Sequence, residues 1–345
     1  MAVIIMADDG ITFDGDSLAT GPLGGAETAF VSLAEALAVR GHKVYIYNNC
    51  GREMDRAGVS WYPLDRGLPD KADMYIANRG DKLIPLVPSA HTRIFWIHNP
   101  AGYLKKWRYF SKLFFLRPII VFSSDFHVNS LPWWIPCGEK VIIPYGISKV
   151  FLETEATIST PAPRAVFTSS PLRSLDWLLD IWATAIQPHV HGAELHVFSG
   201  TKTYGEHGMR RVDRIQSVLD KARALSSHGV VLREPIAKRE LARELMDFRT
   251  LLYRGDPGET YCLAVGEAQA LGVPAVVENI GCVAERVIDG VTGFVAVDDA
   301  NFAERARLLL LDDKVWEYQR TAALRHQRSW SWDDAAAGFE QFLTL

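Results

Sequence analysis

The residues best suited to chemistry lie in one short run, G-E-T-Y-C-L-A-V-G-E-A-Q-A-L-G at Gly258–Gly272. Glu259 is expected to end a loop after a strand, with a helix from Thr260 onward, so that Glu267 stands about 12 Å further along the axis. That separation is too long for two carboxyls sharing a proton and suits an elongated ligand touched at both ends. An ionised carboxylate only accepts hydrogen bonds, which matches a vicinal diol such as a ribose or a hexose hydroxyl pair. On this reading the backbone amides of Thr260, Tyr261 and Cys262 form a helix N-terminus that can meet phosphate oxygens. Gly266 would lower the bulk beside Glu267. The plain alternative is an amphipathic helix whose glutamates are merely solvated.

A second run, G-P-L-G-G-A-E-T at Gly21–Thr28, precedes a helix expected from Ala26 to Arg40. Gly24 and Gly25 remove side chains where a backbone could meet a ligand, and the helix start adds unpaired amides, a combination suited to a diphosphate. A tight turn between a strand and a helix would use the same glycines. The run is not G-x-G-x-x-G, and no P-loop pattern occurs anywhere. Asp14 and Asp16 flank Gly15 in what reads as a loop turn rather than a cation site. His189 and His191 read as a solvated turn without a third ligand, so no metal site is expected. No G-x-S-x-G or paired Cys/His arrangement points to covalent hydrolysis.

These residues need a scaffold, and the rest of the chain supplies its pattern. Short β-branched or aromatic runs alternate with helical stretches. Strands are expected at 3–7, 43–48, 59–63, 74–78, 93–98, 119–124 and 141–145. After a Thr/Pro-rich break at Glu153–Pro163 they resume at 165–169, 194–199, 230–234, 250–254, 275–279 and 294–297. Many are continuous apolar runs, as strands covered by helices on both faces require. With 345 residues, 48% of them hydrophobic, the chain has room for two cores. The expected fold is α/β: two Rossmann-like, doubly wound parallel-sheet domains facing across a cleft, at residues 1–155 and 156–328, closed by an amphipathic helix in 329–345. Ligands of such sheets sit at the carboxyl ends of strands. The net charge of −4 argues against a basic nucleic-acid-binding domain. No apolar run is long enough to cross a membrane, and the first apolar run is too short for a signal segment and lacks its basic flank. The four widely spaced cysteines read as reduced thiols of a cytoplasmic protein.

The whole layout resembles the retaining glycosyltransferases of the GT-B fold, in particular the large family four, the group 1 glycosyl transferases. The likeness is carried by G-G-A-E followed by L-A-E-A-L-A-V-R-G-H-K-V, by Glu259 and Glu267 with seven residues between them, and by E-A-Q-A-L-G-V-P-A-V-V. It extends to G-x-x-x-E-x-V-x-D-G-x-T-G-F and the closing W-S-W at Trp330–Trp332. The resemblance implies that Glu267 accepts from the ribose hydroxyls of a nucleotide-sugar donor and that Glu259 holds hydroxyls of the transferred sugar. It places the amides after Glu259 on the sugar and distal phosphate, and Gly24 and Gly25 on the diphosphate. His98, in R-I-F-W-I-H-N-P, matches a family histidine that contacts the donor sugar or lines the reacting centre. The family's Arg and Lys on the first turn of the second domain meet a departure here, F-T-S-S-P-L-R. Arg173 stands near the Lys position while Ser169 and Ser170 occupy the Arg region, leaving Arg173 to compensate the leaving diphosphate. The family's P-N-G turn reads Pro144-Tyr145-Gly146.

The implied activity is transfer of a sugar from a nucleoside diphosphate sugar to an acceptor with retention of configuration. No metal and no cofactor beyond the donor co-substrate is expected, and the closing helix should cross back onto the first domain. The acceptor could be a glycan, a lipid-linked molecule or a small molecule. Rival readings are a non-hydrolysing sugar-nucleotide epimerase and a non-catalytic sugar-nucleotide-binding partner. A phosphorylase would need a pyridoxal lysine and a longer chain. Gly102–Pro118 interleaves Lys105, Lys106, Arg108, Lys112 and Arg117 with Trp107, Tyr109, Phe110, Phe114 and Phe115. It reads either as a core helix with a solvated basic face or as a peripheral contact with the inner face of a membrane or a phosphorylated acceptor.

Overall fold

The computed structural model describes residues 1–155, 159–200 and 212–343. It divides into two compact units, Met1–Gly146 with Trp330–Leu345, and Ile147–Ser329. In the first, β1 (Val3–Asp8), β2 (Lys43–Asn48), β3 (Met54–Arg56), β4 (Val59–Pro63), β5 (Lys71–Asn78), β6 (Ser89–Trp96), β7 (Ile119–Phe122) and β8 (Lys140–Ile142) form one sheet. Its order is β3-β4-β2-β1-β5-β6-β7-β8, parallel throughout except where β3 pairs with β4. In the second unit β9 (Arg164–Phe167), β10 (Glu194–Phe198), β11 (Val230–Arg233), β12 (Thr250–Leu252), β13 (Ala275–Glu278) and β14 (Gly293–Ala296) form an all-parallel sheet in the order β11-β10-β9-β12-β13-β14. Leaving β3 aside, each sheet runs outward from its first strand on one side and returns to the other. The strand order therefore reverses between β1 and β5 and between β9 and β12.

The central strands are apolar because both faces are covered. Ile4, Met6 and Ala7 of β1 and Met74, Tyr75 and Ile76 of β5 are fully buried, as are Ala165 and Val166 of β9. β3 was not foreseen: M-D-R has no apolar pattern, and as a short antiparallel edge strand it buries almost nothing. The helix foreseen from Thr260 also differs. It spans Leu263–Ala270 and is preceded by Cys262 in the left-handed region at φ +61°.

The first division falls after Gly146, ahead of the Thr/Pro-rich stretch, because Ile147 and Phe151 are buried within the second unit. Residues 156–158 of that stretch lie outside the described residues. The Trp332–Glu340 helix, opened by a Ser331/Asp334 capping box, packs on the Gly25–Val39 helix. Arg40 joins the two, donating to Glu340 at 2.6 and 2.7 Å and to Asp333 at 2.9 Å. The W-S-W segment has a local purpose. Trp330 Nε1 donates to the Pro144 carbonyl at 3.2 Å, and Trp332 stacks on Tyr145 at 5.9 Å. A Cβ on Gly146 would fall 2.2 Å from the Trp332 nitrogen. Cys50, Cys137, Cys262 and Cys282 are all free thiols, and among the described residues no helix is long and apolar enough to cross a membrane.

Candidate functional site

In the second unit the polar residues gather at the carboxyl ends of β9, β11 and β12. The loop after β12 is held in a fixed turn. The Asp256 side chain accepts from the Gly258 amide at 2.8 Å, and its carbonyl accepts from the Glu259 amide at 2.9 Å. The Glu259 carbonyl in turn accepts from the Cys282 amide at 3.2 Å. Gly281, at φ +66°, permits this approach, since a Cβ there would stand 2.3 Å from the Asp256 carbonyl oxygen. This anchoring explains why the helix begins only at Leu263. Thr260 and Tyr261 continue the turn, so the amides of Thr260, Tyr261 and Cys262 are not the first amides of a helix, and the axial spacing foreseen between Glu259 and Glu267 does not apply.

Glu259 is buried, and its Oε2 accepts from the Tyr253 hydroxyl at 2.8 Å and pairs with Arg173. Burial, and then the charge of Glu259, raises the Tyr253 phenol well above its ordinary value, so this hydroxyl stays a donor. Arg173 stands on the turn after β9, where its amide donates to the Ser170 carbonyl at 2.9 Å. The next residue, Ser174, has φ +61°, and its hydroxyl donates to the Gly255 carbonyl at 2.8 Å, tying the turn to the Glu259 loop. The Ser169 carbonyl accepts from the Ser199 hydroxyl at 2.7 Å.

Glu267, on the second turn of the Leu263–Ala270 helix, is also buried, and the Lys238 ammonium lies 2.7 Å from both its oxygens. Lys238 opens the Lys238–Leu245 helix that follows β11. Gly266 clears space for a protein side chain: a Cβ there would meet Arg286 Nη2 at 2.3 Å. That guanidinium covers the Tyr261 ring at 4.2 Å and donates to the Tyr261 hydroxyl at 2.9 Å. Thr260, Tyr261 and Cys262 are all buried, and burial raises the Cys262 thiol above its ordinary value.

The first unit builds a second cluster at the carboxyl ends of β1, β5 and β6. Arg79, at φ +52°, donates to both oxygens of Asp8, at 3.0 and 3.1 Å, and pairs with Glu27 at 2.8 Å. Glu27 follows the Gly24–Gly25 pair, and a Cβ on Gly24 would stand 2.4 Å from its carboxylate. Asn78 donates to Asp8 at 2.6 Å, so its amide oxygen is the atom that faces His98 Nε2 at 2.5 Å. Nε2 must then carry the ring proton, and Nδ1 accepts from the Tyr145 hydroxyl. Burial, then the charge of Arg79, holds His98 well below its ordinary value, so the ring is neutral. Three of the non-glycine residues with positive φ, Arg79, Ser174 and Cys262, border these two clusters.

The expected site residues thus fall into two groups. Glu259, Glu267, Arg173, Ser170, Thr260, Tyr261 and Cys262 belong to the second unit, and Gly24, Gly25 and His98 to the first. Tyr253, Lys238, Arg79, Asp8 and Asn78 were not singled out from the sequence. Lys238 and Arg79 are the first basic residues after β11 and β5, a position at strand ends that could have marked them. Asp14 accepts from the Asp16 and Ser17 amides, each at 3.1 Å, as a turn residue. Among the described residues no group of three or more His, Cys, Asp or Glu could hold a metal ion, and His189 and His191 belong to no such group.

Residues 163–312 match the family model described as Glycosyl transferases group 1. The chain is similar to the D-inositol 3-phosphate glycosyltransferase of Streptomyces avermitilis, with 31% identity over 110 residues. That alignment covers 31% of this chain and 24% of the relative, so the chain spans about a quarter of the length of the curated relative it matches. The fold is similar to that of HepE from Anabaena, solved in complex with UDP-glucose, with a TM-score of 0.74, 12% identity and 100% of both chains covered. It is also similar to the sucrose-phosphate synthase of Thermosynechococcus elongatus, with a TM-score of 0.72, 15% identity, and 99% of this chain and 98% of that one covered. At these identities the structural likeness is one of fold. Residues 163–312 are thus similar to the group 1 glycosyl transferases, within a chain that has the two-sheet GT-B fold.

Proposed function

We propose that the protein transfers a sugar from a nucleoside diphosphate sugar to an acceptor with retention of anomeric configuration and without a metal ion. The observation that carries this reading is the pair of buried carboxylates, Glu259 and Glu267, each held by a side-chain cation within the unit that matches the group 1 transferases. A carboxylate has about four lone-pair sites. Lys238 takes one side of Glu267, leaving acceptor capacity for the ribose diol. Glu259, with Oε2 engaged by Tyr253 and Arg173, would offer its remaining capacity to hydroxyls of the transferred sugar. Arg173 compensates the charge of the departing diphosphate.

Retention follows if the acceptor attacks from the face the diphosphate leaves, with the leaving phosphate taking the acceptor proton. No separate base is then required. His98 is not called on as a base, since Asn78 and Tyr145 already engage both of its ring nitrogens.

Calorimetric titration with a panel of nucleoside diphosphate sugars in EDTA, on the wild type and Glu267→Ala, tests the reading. One donor should bind, and the variant should bind it about tenfold to a hundredfold more weakly, the range for a lost charge-assisted hydrogen bond. Proton NMR of the product would then show the donor's anomeric configuration. Absence of binding by any donor, with or without magnesium, would overturn the proposal. Conversion of the donor sugar with no acceptor present would favour an epimerase.

A further inference from the structure

The Trp107–Leu116 helix carries two apolar faces where the core of its unit uses one. Tyr109 and Leu113, one turn apart, are buried. Trp107 and Phe114 lie on a different stripe, joined through the half-buried Phe110, which also packs against the core, with the rings stacked in series at 6.0 and 6.3 Å. Trp107 is 76% exposed and the neighbouring Phe115 79%. The loop at 130–138 extends the patch: the Trp134 ring lies 6.0 Å from Phe110, and Trp133 is 87% exposed. An amphipathic core helix would place charged residues on its outer face. Here the outward face presents indole and phenyl rings beside cations.

The charge around this patch is one-sided. From Lys82 to Ser124 the chain has no acidic residue, although the whole protein carries a net charge of −4. Lys105, Lys106, Arg108 and Arg117 are exposed at the helix and its flanks. Arg117 lies 5.6 Å from the centre of the Phe114 ring, so cation and aromatic surface are contiguous. Asp81 offsets part of this charge, pairing with Lys112 at 2.6 Å and Arg108 at 3.5 Å. Lys105, Lys106 and Arg117 stand outside that pair. Tryptophan rings favour the level of lipid headgroups, and lysines and arginines beside them complement an anionic surface.

We propose that this face seats the protein on an anionic phospholipid bilayer, with Trp107, Phe115, Trp133 and Trp134 in the headgroup layer and the adjacent cations on lipid phosphates. The helix would then lie in the interface plane without spanning the membrane. Vesicle binding is read without turnover, so its failure leaves the transferase proposal standing, and the reverse holds too.

Flotation with phosphatidylcholine vesicles, with and without phosphatidylglycerol, tests this. The protein should float with the phosphatidylglycerol vesicles and be released by raised salt. Lys105→Glu with Lys106→Glu should lower that partition by about 25-fold or more, taking about fivefold for each basic residue removed, with little change on neutral vesicles. Trp107→Ser, Phe115→Ser and Trp133→Ser together should abolish flotation. These side chains are exposed, so the melting temperature should be preserved, and that measurement separates lost binding from lost folding. Wild-type protein that fails to float, or an aromatic variant that floats equally well, would overturn the proposal. A dimer seen by light scattering and lost in the aromatic variant, with vesicles unbound, would assign the face to a second copy of the chain.

Discussion

The two sheets place similar chemistry at equivalent positions and close it to different degrees. At the reversal between β1 and β5, Arg79 is shared by Asp8, which is fully buried, and Glu27, while Asn78 and Tyr145 hold His98 in one tautomer. At the reversal between β9 and β12, Arg173 meets Glu259 from a side chain that is 36% exposed. The first cluster satisfies its own donors and acceptors. In the second, Arg173 is more exposed than Arg79, at 36% against 23%, and serves one buried carboxylate where Arg79 serves two. Topology therefore brings acids and an arginine to the switch point in both units, and the number of buried carboxylates each arginine serves sets them apart.

The largest expected contrast comes from removing the two arginines. Arg79→Leu leaves two buried carboxylates without their cation and should cost about 3–5 kcal/mol of stability, read by denaturant unfolding. Arg173→Leu unpairs one buried carboxylate, Glu259, which keeps its Tyr253 hydrogen bond, and should cost less stability than Arg79→Leu. It should nonetheless lower kcat for sugar transfer by about a hundredfold, the scale seen when a donor to developing charge is removed. Equal stability losses in the two variants would erase the distinction between the clusters.

Acid should strain the first unit through its buried histidines. His127 is pushed down to about 4 by burial, and its Nε2 lies 3.0 Å from the Asn99 carbonyl. Between about pH 6.5, the ordinary value in the unfolded chain, and pH 4, the unfolded state binds the extra proton. Stability should therefore fall as pH falls through that window, by up to about 1.4 kcal/mol per unit for this group. His98 acts in the same direction. Melting temperatures from pH 7 to 5 should drop less steeply in His127→Gln than in the wild type, and an unchanged slope would remove this residue from the account. The smallest expected effect is that of Tyr145→Phe, which deletes the hydroxyl donating to His98 and should cost about 1 kcal/mol. If the hydroxyl also positions His98 for the sugar, kcat falls while KM for the donor holds.

Much of the scaffold was legible because its signals are local. The β-branched runs marked thirteen of the strands that form the two sheets, and glycines marked the turns before the Gly25–Val39 and Leu263–Ala270 helices. The polar edge strand β3 left no apolar signature. The helix boundary after Glu259 was misplaced by three residues, because the Cys282 amide bonding to the Glu259 carbonyl sets it and periodicity does not report so distant a bond.

The sequence by itself determined the α/β alternation, the run that holds Glu259 and Glu267, and the one-sided charge of 82–124. Each depends on residue type and short-range spacing. Only the tertiary structure decided the partners. Lys238 stands 29 residues before Glu267, and Arg173 stands 86 before Glu259. Pairings at such separations follow from strand order, which places loops together that the chain keeps apart. The same holds for the Trp107–Leu116 helix. Its composition allowed a core helix or a surface contact, and packing turned Tyr109, Leu113 and part of Phe110 inward while Trp107, Phe114 and Phe115 stay outside.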